Sequence, residues 1–218
     1  MDAVLWDMDG LMVDSEPLWT AAEEELAGAL GGTWDAEVKA RIVGTRLDVA
    51  VPTILGYFGV EATEERVVTT AAWLLHRMVE LFTADDLPLL PGVLELLAAL
   101  AAEQVPMALV SSSYRVLVDA VLAGGLGPFA VTLAGDEVEH GKPAPDPYLL
   151  AAQHLGVDAT RCVVLEDSPA GVASGEAAGC AVVAVPSVPG VLFDQAPRRL
   201  VAGSLTEVTL SDLRALGG

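Results

Sequence analysis

The sequence predicts an α/β protein, a doubly wound parallel sheet with helices on both faces, interrupted by an inserted helical bundle. Three observations point that way. From about residue 87 onward, helical patterns alternate with short β-rich runs, as a parallel sheet requires. Those runs, among them "MALV", "VVL" and "AVVAV", are continuously apolar rather than alternating, which fits strands covered on both faces. A matching run, "AVLW", stands near the start and is separated from the next by a long stretch with only helical periodicity.

The elements follow in order. Ala3–Trp6 reads as the first strand. Ser15 is placed to cap a helix with Pro17 in its first turn and Leu18, Ala22, Leu26 and Leu30 on one face. A longer amphipathic helix spans Glu64–Phe82, with Val67, Ala71, Leu74, Leu75, Met78 and Phe82 forming its apolar stripe. Thereafter come helix Val93–Glu103, strand Met107–Val110, helix Arg115–Leu122, strand Ala130–Leu133, helix Pro147–Leu155, strand Val163–Leu165, helix Ala170–Ala178 and strand Ala181–Val185. The reading is a Rossmann-like core of residues 1–15 and 87–218, with residues 16–86 inserted as a helical cap or lid. Leu11–Ser15 and Asp85–Pro91 are the expected hinges.

Composition narrows the function. A chain of 218 residues is long enough for one such core plus an insertion. The hydrophobic fraction is 53 %, yet no apolar stretch reaches the length of a bilayer span, Glu95 and Glu103 breaking the longest candidate. Asp2 and Asp7 interrupt the start where a basic leader would stand, so a cytoplasmic protein is expected, with no membrane partner. The net charge of −20, from 31 acidic and 11 basic residues, repels phosphate backbones and argues against nucleic acid. An anionic substrate would need positive charge supplied locally. Cys162 and Cys180 each adjoin a strand-like run and read as buried free thiols. His76, His140 and His154 have no metal-ligand spacing, and the tryptophans, Trp19 excepted, read mostly as core.

Ligands of open parallel sheets bind at the carboxyl ends of the strands, so the residues that end each apolar run are the candidates for chemistry. "AVLWD" delivers Asp7 and Asp9, "MALVSSS" delivers Ser111 and Ser112, "VVLED" delivers Glu166 and Asp167, and the loop "HGKPAPDPY" carries Lys142. Singly these residues are helix caps, turn formers or solvated charges. Converging on one edge, they make an inventory of carboxylates, hydroxyls and one lysine. Two carboxylates as close as Asp7 and Asp9 repel unless a cation compensates them. Hard carboxylate oxygens at this density suit Mg²⁺ beside a substrate phosphate.

"DMDGLMVDSEP", the Ser111 run, "GKPAPDPY" and "VVLEDSPAGV", in this order, resemble the signature motifs of the haloacid dehalogenase superfamily of phosphatases, over nearly the whole chain. The insertion resembles that of the branch with phosphoglycolate phosphatase, β-phosphoglucomutase and sugar-phosphate phosphatases. The resemblance implies residue roles. Asp7 would be the nucleophile, forming an aspartyl-phosphate, and Asp9 the acid and base. Asp7, the Asp9 carbonyl and Asp167 would hold Mg²⁺, with Glu166 acting through a water or orienting the ligands. Ser111, Ser112, Gly10 and Lys142 would hold the phosphoryl group. "VGTRLD" resembles the insertion loop in which an arginine approaches substrate, which singles out Arg46 ahead of Thr45 and Asp48. Trp19 stands where the sugar phosphomutases of the family carry a histidine; an indole does no acid–base work, which favours hydrolysis. The motifs look most similar to the hexose- and hexitol-phosphate phosphatases.

The expected function is therefore Mg²⁺-dependent hydrolysis of a small phosphate monoester, a sugar or polyol phosphate, by a monomer. A β-phosphoglucomutase-like transferase and a phosphoglycolate phosphatase are the enzymatic alternatives. A phospho-accepting receiver-like module is the non-enzymatic one; the insertion and the Asp7–Asp9 pair on the first strand count against it.

Overall fold

The computed structural model describes the whole chain except residues 43–44, 85–86 and 188–189. Asp85 and Asp86 of the second expected hinge, and Val43 and Gly44 of "VGTRLD", therefore lie outside the described residues.

The described chain runs β1 (Ala3–Trp6), α1 (Glu16–Ala29), α2 (Ala36–Ile42), α3 (Leu47–Tyr57), α4 (Glu64–Ala84), α5 (Val93–Ala102), β2 (Met107–Val110), α6 (Arg115–Ala123), β3 (Val131–Leu133), α7 (Asp146–Leu155), β4 (Cys162–Glu166), α8 (Pro169–Ala177), β5 (Ala181–Ala184), β6 (Arg199–Val201) and α9 (Leu210–Leu216). It divides into two compact units, Met1–Ser15 with Leu87–Gly218, and Glu16–Asp86. None of the helices described is long and apolar enough to cross a membrane.

In the first unit the strands form one six-stranded sheet in the order β3-β2-β1-β4-β5-β6, parallel at every pairing. The chain begins in the middle of the sheet and winds outward to both edges, so β1 and β4 are direct neighbours, with Trp6 beside Leu165. This is the Rossmann-like arrangement expected, and its crevice lies at the carboxyl ends of the central strands. Residues of β1, β2, β4 and β5 are all buried, as strands covered on both faces must be. On one face Leu5, Val110, Val164 and Val182 pack in one apolar cluster with Tyr148, Ala151 and Ala152 of α7 and Val172 of α8. Tyr148, Ala151 and Ala152 share that face because they stand three and four residues apart. α8 starts cleanly, the Ser168 side chain accepting the Gly171 N–H and Pro169 opening the first turn.

The second unit is all helical. α4 buries Leu74, Met78 and Phe82, one residue per turn of one stripe. Lys39 of α2 reaches Glu16 and Glu23 of α1 at 2.6 and 2.9 Å, tying two helices together. α1 ends at Ala29 instead of running on through Leu30, because Gly31, at φ 79°, turns the chain there.

The tryptophans need correcting. Only Trp6 is fully buried; Trp73 is 39 % exposed on α4, and Trp19 and Trp34 are half-buried. Trp73 adjoins the stripe residue Leu74 but stands off the Leu74–Met78–Phe82 line, so the helical period turns it outward. Cys162 and Cys180 are buried free thiols, and burial pushes them up to about 11 and about 12.

Candidate active site

The backbone ladder continues one residue past the strands and sets the reactive side chains at the sheet edge. The Asp7 N–H donates to the Leu165 carbonyl at 3.0 Å, and the Ser111 N–H to the Leu133 carbonyl at 3.0 Å. Asp7, Ser111, Glu166 and Asp167 are thereby brought together as buried polar groups.

Lys142 organises them. Its ammonium lies 2.5 Å from Asp7 Oδ1, 2.7 Å from Glu166 Oε1 and 2.8 Å from the Val110 carbonyl. Three protons meet three acceptors, so the group is saturated. The loop that delivers it is tethered to α8, where the Ser174 hydroxyl donates to the Ala144 carbonyl at 2.5 Å.

Glu166 is enclosed by donors. Oε1 accepts from Lys142 and, at 2.7 Å, from the Tyr148 hydroxyl. Oε2 accepts the N–H groups of Asp167 and Ser168 and the Ser168 hydroxyl at 3.1–3.2 Å. A carboxylate offers about four lone-pair sites. With five donors already on it, Glu166 suits orientation of its neighbours better than direct metal ligation. α8 reaches this carboxylate only because residue 171 is glycine: a Cβ there would lie 1.8 Å from it.

Asp167 turns Oδ2 toward the Ser187 hydroxyl, which donates to it from the loop after β5. Gly10, at φ +81°, passes beside the same oxygen, and a Cβ on it would lie 2.2 Å away. Asp9 accepts on Oδ2 from Ser111 at 3.1 Å and Ser113 at 2.8 Å, while its buried Oδ1 has no partner. Burial pushes Asp7 well above the usual carboxylate range, with Lys142 opposing and the neighbouring carboxylates adding to the rise. Burial also raises Asp167, to about 6, against the Ser187 bond. For Lys142, burial acts downward, but Asp7 and Glu166 override it and hold the ammonium above its ordinary value.

Asp7, Glu166 and Asp167 each present an oxygen, and these oxygens lie within 4.8 Å of one another. One ammonium faces them, so this cluster and Asp9 carry more negative charge than the site's own side chains offset. All-oxygen donors, excess negative charge and the orphaned Asp9 oxygen fit a hard divalent cation and its water or phosphate ligands.

Ser112 is exposed, whereas its neighbour Ser113 contacts Asp9. Arg46 belongs to the helical unit, where it precedes α3 in extended conformation, 59 % exposed and 3.7 Å from Asp48. Thr45 donates to the Ile42 carbonyl at 2.7 Å. Sequence reading did not single out Tyr148, Ser113 and Ser187. Tyr148 stands among apolar helix positions, and Ser113 is one of three consecutive serines. Ser187 follows a strand as the other site residues do, so the strand-end rule, extended to β5, finds it.

Fold and site together define an α/β enzyme whose active carboxylates gather at the carboxyl edge of a parallel sheet. The model of the family described as haloacid dehalogenase-like hydrolase matches residues 1–179. Protein CbbY of Rhodobacter capsulatus is 33 % identical over 197 residues, covering 86 % of each chain. Hexitol phosphatase A of Escherichia coli is 38 % identical over 183 residues, covering 83 % of this chain and 81 % of that one. The structure of CbbY from Rhodobacter sphaeroides in complex with phosphate superposes with a TM-score of 0.85 at 27 % identity, over 98 % of this chain and 99 % of that one. The chain belongs to the haloacid dehalogenase-like hydrolases. The receiver-like alternative falls with that membership.

Proposed function

We propose that this hydrolase is a Mg²⁺-dependent phosphatase acting on a small sugar or polyol phosphate through an aspartyl-phosphate on Asp7. The observation that carries the reading is the buried cluster of Asp7, Glu166 and Asp167 around the Lys142 ammonium. The names of relatives, a hexitol phosphatase and a phosphorylated carbohydrates phosphatase, support the substrate class.

Asp7 attacks phosphorus, and the P–O bond to the sugar breaks as Asp9 gives its proton to the leaving oxygen. Asp9 then takes a proton from water, whose oxygen displaces Asp7 and releases phosphate. Ser111 and Ser113 orient Asp9 for both transfers, with hydroxyls 3.1 and 2.8 Å from its carboxylate. Lys142, held against Asp7, sets its positive charge beside the phosphoryl oxygens as charge accumulates on them. Asp7, Asp167 and the Asp9 carbonyl would hold Mg²⁺, whose bound charge keeps the carboxylates ionised and polarises the phosphoryl group. Residues 16–86 serve as the cap, with Arg46 as a substrate contact, and a single chain suffices.

A phosphate-release screen over sugar, polyol and two- or three-carbon phosphates tests this. Release is expected with Mg²⁺, loss with chelator, and loss in a folded Asp7→Asn variant. Undiminished turnover by Asp7→Asn, or turnover indifferent to chelator, refutes the scheme. Isomerised hexose phosphate in place of free phosphate identifies a mutase.

A further inference from the structure

We propose that Tyr148 is a positioning residue: its hydroxyl occupies one acceptor site of Glu166 Oε1, so that Glu166 holds the Lys142 ammonium without drawing it off Asp7. The inference rests on the assignment of Lys142 to phosphoryl transfer made above.

Tyr148 touches both halves of the buried ion pair. Its hydroxyl lies 2.7 Å from Glu166 Oε1, the same oxygen that Lys142 reaches at 2.7 Å. Its ring lies beneath the ammonium, with Nζ 5.0 Å from the centroid, within range of a cation–π contact. Both Tyr148 and Glu166 are fully buried. No bulk water can substitute for a donor lost there, and an ionised oxygen short of a donor turns to the nearest remaining one. That donor is Lys142. Its three protons are divided among Asp7, Glu166 and the Val110 carbonyl at 2.5–2.8 Å, so a stronger pull from Glu166 comes at the expense of Asp7. Asp7 is the group beside which the phosphoryl is transferred, and fractions of an ångström there matter.

Packing supports the role. Tyr148 sits in the first turn of α7, which packs against β1, β2 and β3, so its ring is carried by a helix seated on the strands that deliver Asp7 and Ser111. A phenylalanine would fill the same apolar volume, since Ala151, Ala152 and Leu5 belong to the same cluster. The hydroxyl is thus separable from the packing.

The test is Tyr148→Phe. With Mg²⁺ saturating, kcat is expected to fall about tenfold while KM stays within about twofold, because an ammonium drawn off Asp7 is missed most where charge builds in the transition state. A second measurement needs neither metal nor activity: urea unfolding of metal-free parent, Tyr148→Phe, Glu166→Gln and the double variant. Deleting the hydroxyl is expected to lower the folding equilibrium constant about tenfold in the parent, and about threefold or less in the Glu166→Gln background, where its partner is neutral. Unchanged kcat, or lowered stability with unchanged kinetics, overturns the proposal, as does an additive cycle. Should the parent hydrolyse no phosphate ester, the proposed function fails on its own, and the unfolding cycle still decides whether Tyr148 holds Glu166.

Discussion

Lys142→Met isolates what the buried ammonium does for the fold. Methionine retains the aliphatic stem, so the change removes a charge and three hydrogen bonds and leaves little cavity. The Lys142 side chain is 4 % exposed and those of its carboxylate partners 9 % and 0 %, so water cannot take its place. Removing one partner of a buried pair costs about 3–5 kcal/mol, because the abandoned charge stays buried. Against a total stability of about 5–15 kcal/mol, that is a large fraction. The sign of the pH dependence follows from Asp7, whose folded-state pKa is raised by burial even with Lys142 beside it and rises further without it. A raised carboxylate binds its proton more tightly folded than unfolded, so stability is gained as pH falls and lost as pH rises. The penalty of Lys142→Met is therefore expected to be full near pH 8 and smaller near pH 5, where protonation relieves the stranded charge. Urea unfolding of the metal-free proteins at both pH values measures it, and added Mg²⁺ should return part of the loss. A cost below about 1 kcal/mol near pH 8, or a cost that grows on acidification, refutes the description of Lys142 as the compensating charge.

Two further changes probe the carboxylates that Lys142 does not reach alone. Gly171→Ala places a Cβ 1.8 Å from the Glu166 carboxylate, so Glu166 must leave its five donors; a loss of at least about 2 kcal/mol in unfolding free energy is expected, and a neutral result would show that α8 can shift aside. Ser187→Ala removes the hydroxyl donor to Asp167 Oδ2, and Mg²⁺ affinity measured by calorimetry should weaken about 10–100-fold. Unaltered affinity would place Asp167 outside the cation site.

The sheet could be read from the sequence because it depends on local signals repeated many times. "AVLW", "MALV" and "AVVAV" are apolar throughout; the first two became strands at the expected residues, and the third did so up to Ala184, one residue short of Val185. β6 could not be read so, since "RLV" is a half-buried edge strand whose pairing depends on β5 rather than on its own pattern. α2 and α3 were similarly hidden, α3 with a proline inside it. At the site, strand-end position sufficed to find Asp7, Ser111, Glu166 and Asp167. It could not separate Ser112 from Ser113, because which of these two joins Ser111 in turning toward Asp9 is decided by the backbone after β2. Nor could it find Tyr148, whose ring obeys the apolar pattern of α7 while its hydroxyl serves Glu166. A residue with both an apolar body and a polar tip satisfies two rules, and only the first is visible as a period.

The charge distribution leads to one more expectation. The chain carries −20, and in its sheet-bearing unit Arg115, Arg161, Arg199 and Arg214 are each paired with a carboxylate, while the exposed Arg198 donates to the Thr160 carbonyl. Lys142, the cation at the site, is buried between two more. An approaching phosphate dianion therefore meets a repulsive far field, and attraction begins only within reach of the site. Salt shortens that far field, from a Debye length of about 30 Å at 0.01 M to about 8 Å at 0.15 M, while buried contacts are screened far less. With Mg²⁺ saturating, kcat/KM for a sugar phosphate is expected to rise several-fold as potassium chloride is raised across that range. A site that drew its substrate in by exposed cations would show the opposite slope, since screening would then weaken an attraction. A kcat/KM that falls with salt would thus locate an exposed basic surface on the route of entry, and would overturn the view that the sheet-bearing unit offers its anionic substrate positive charge chiefly at the buried sheet edge.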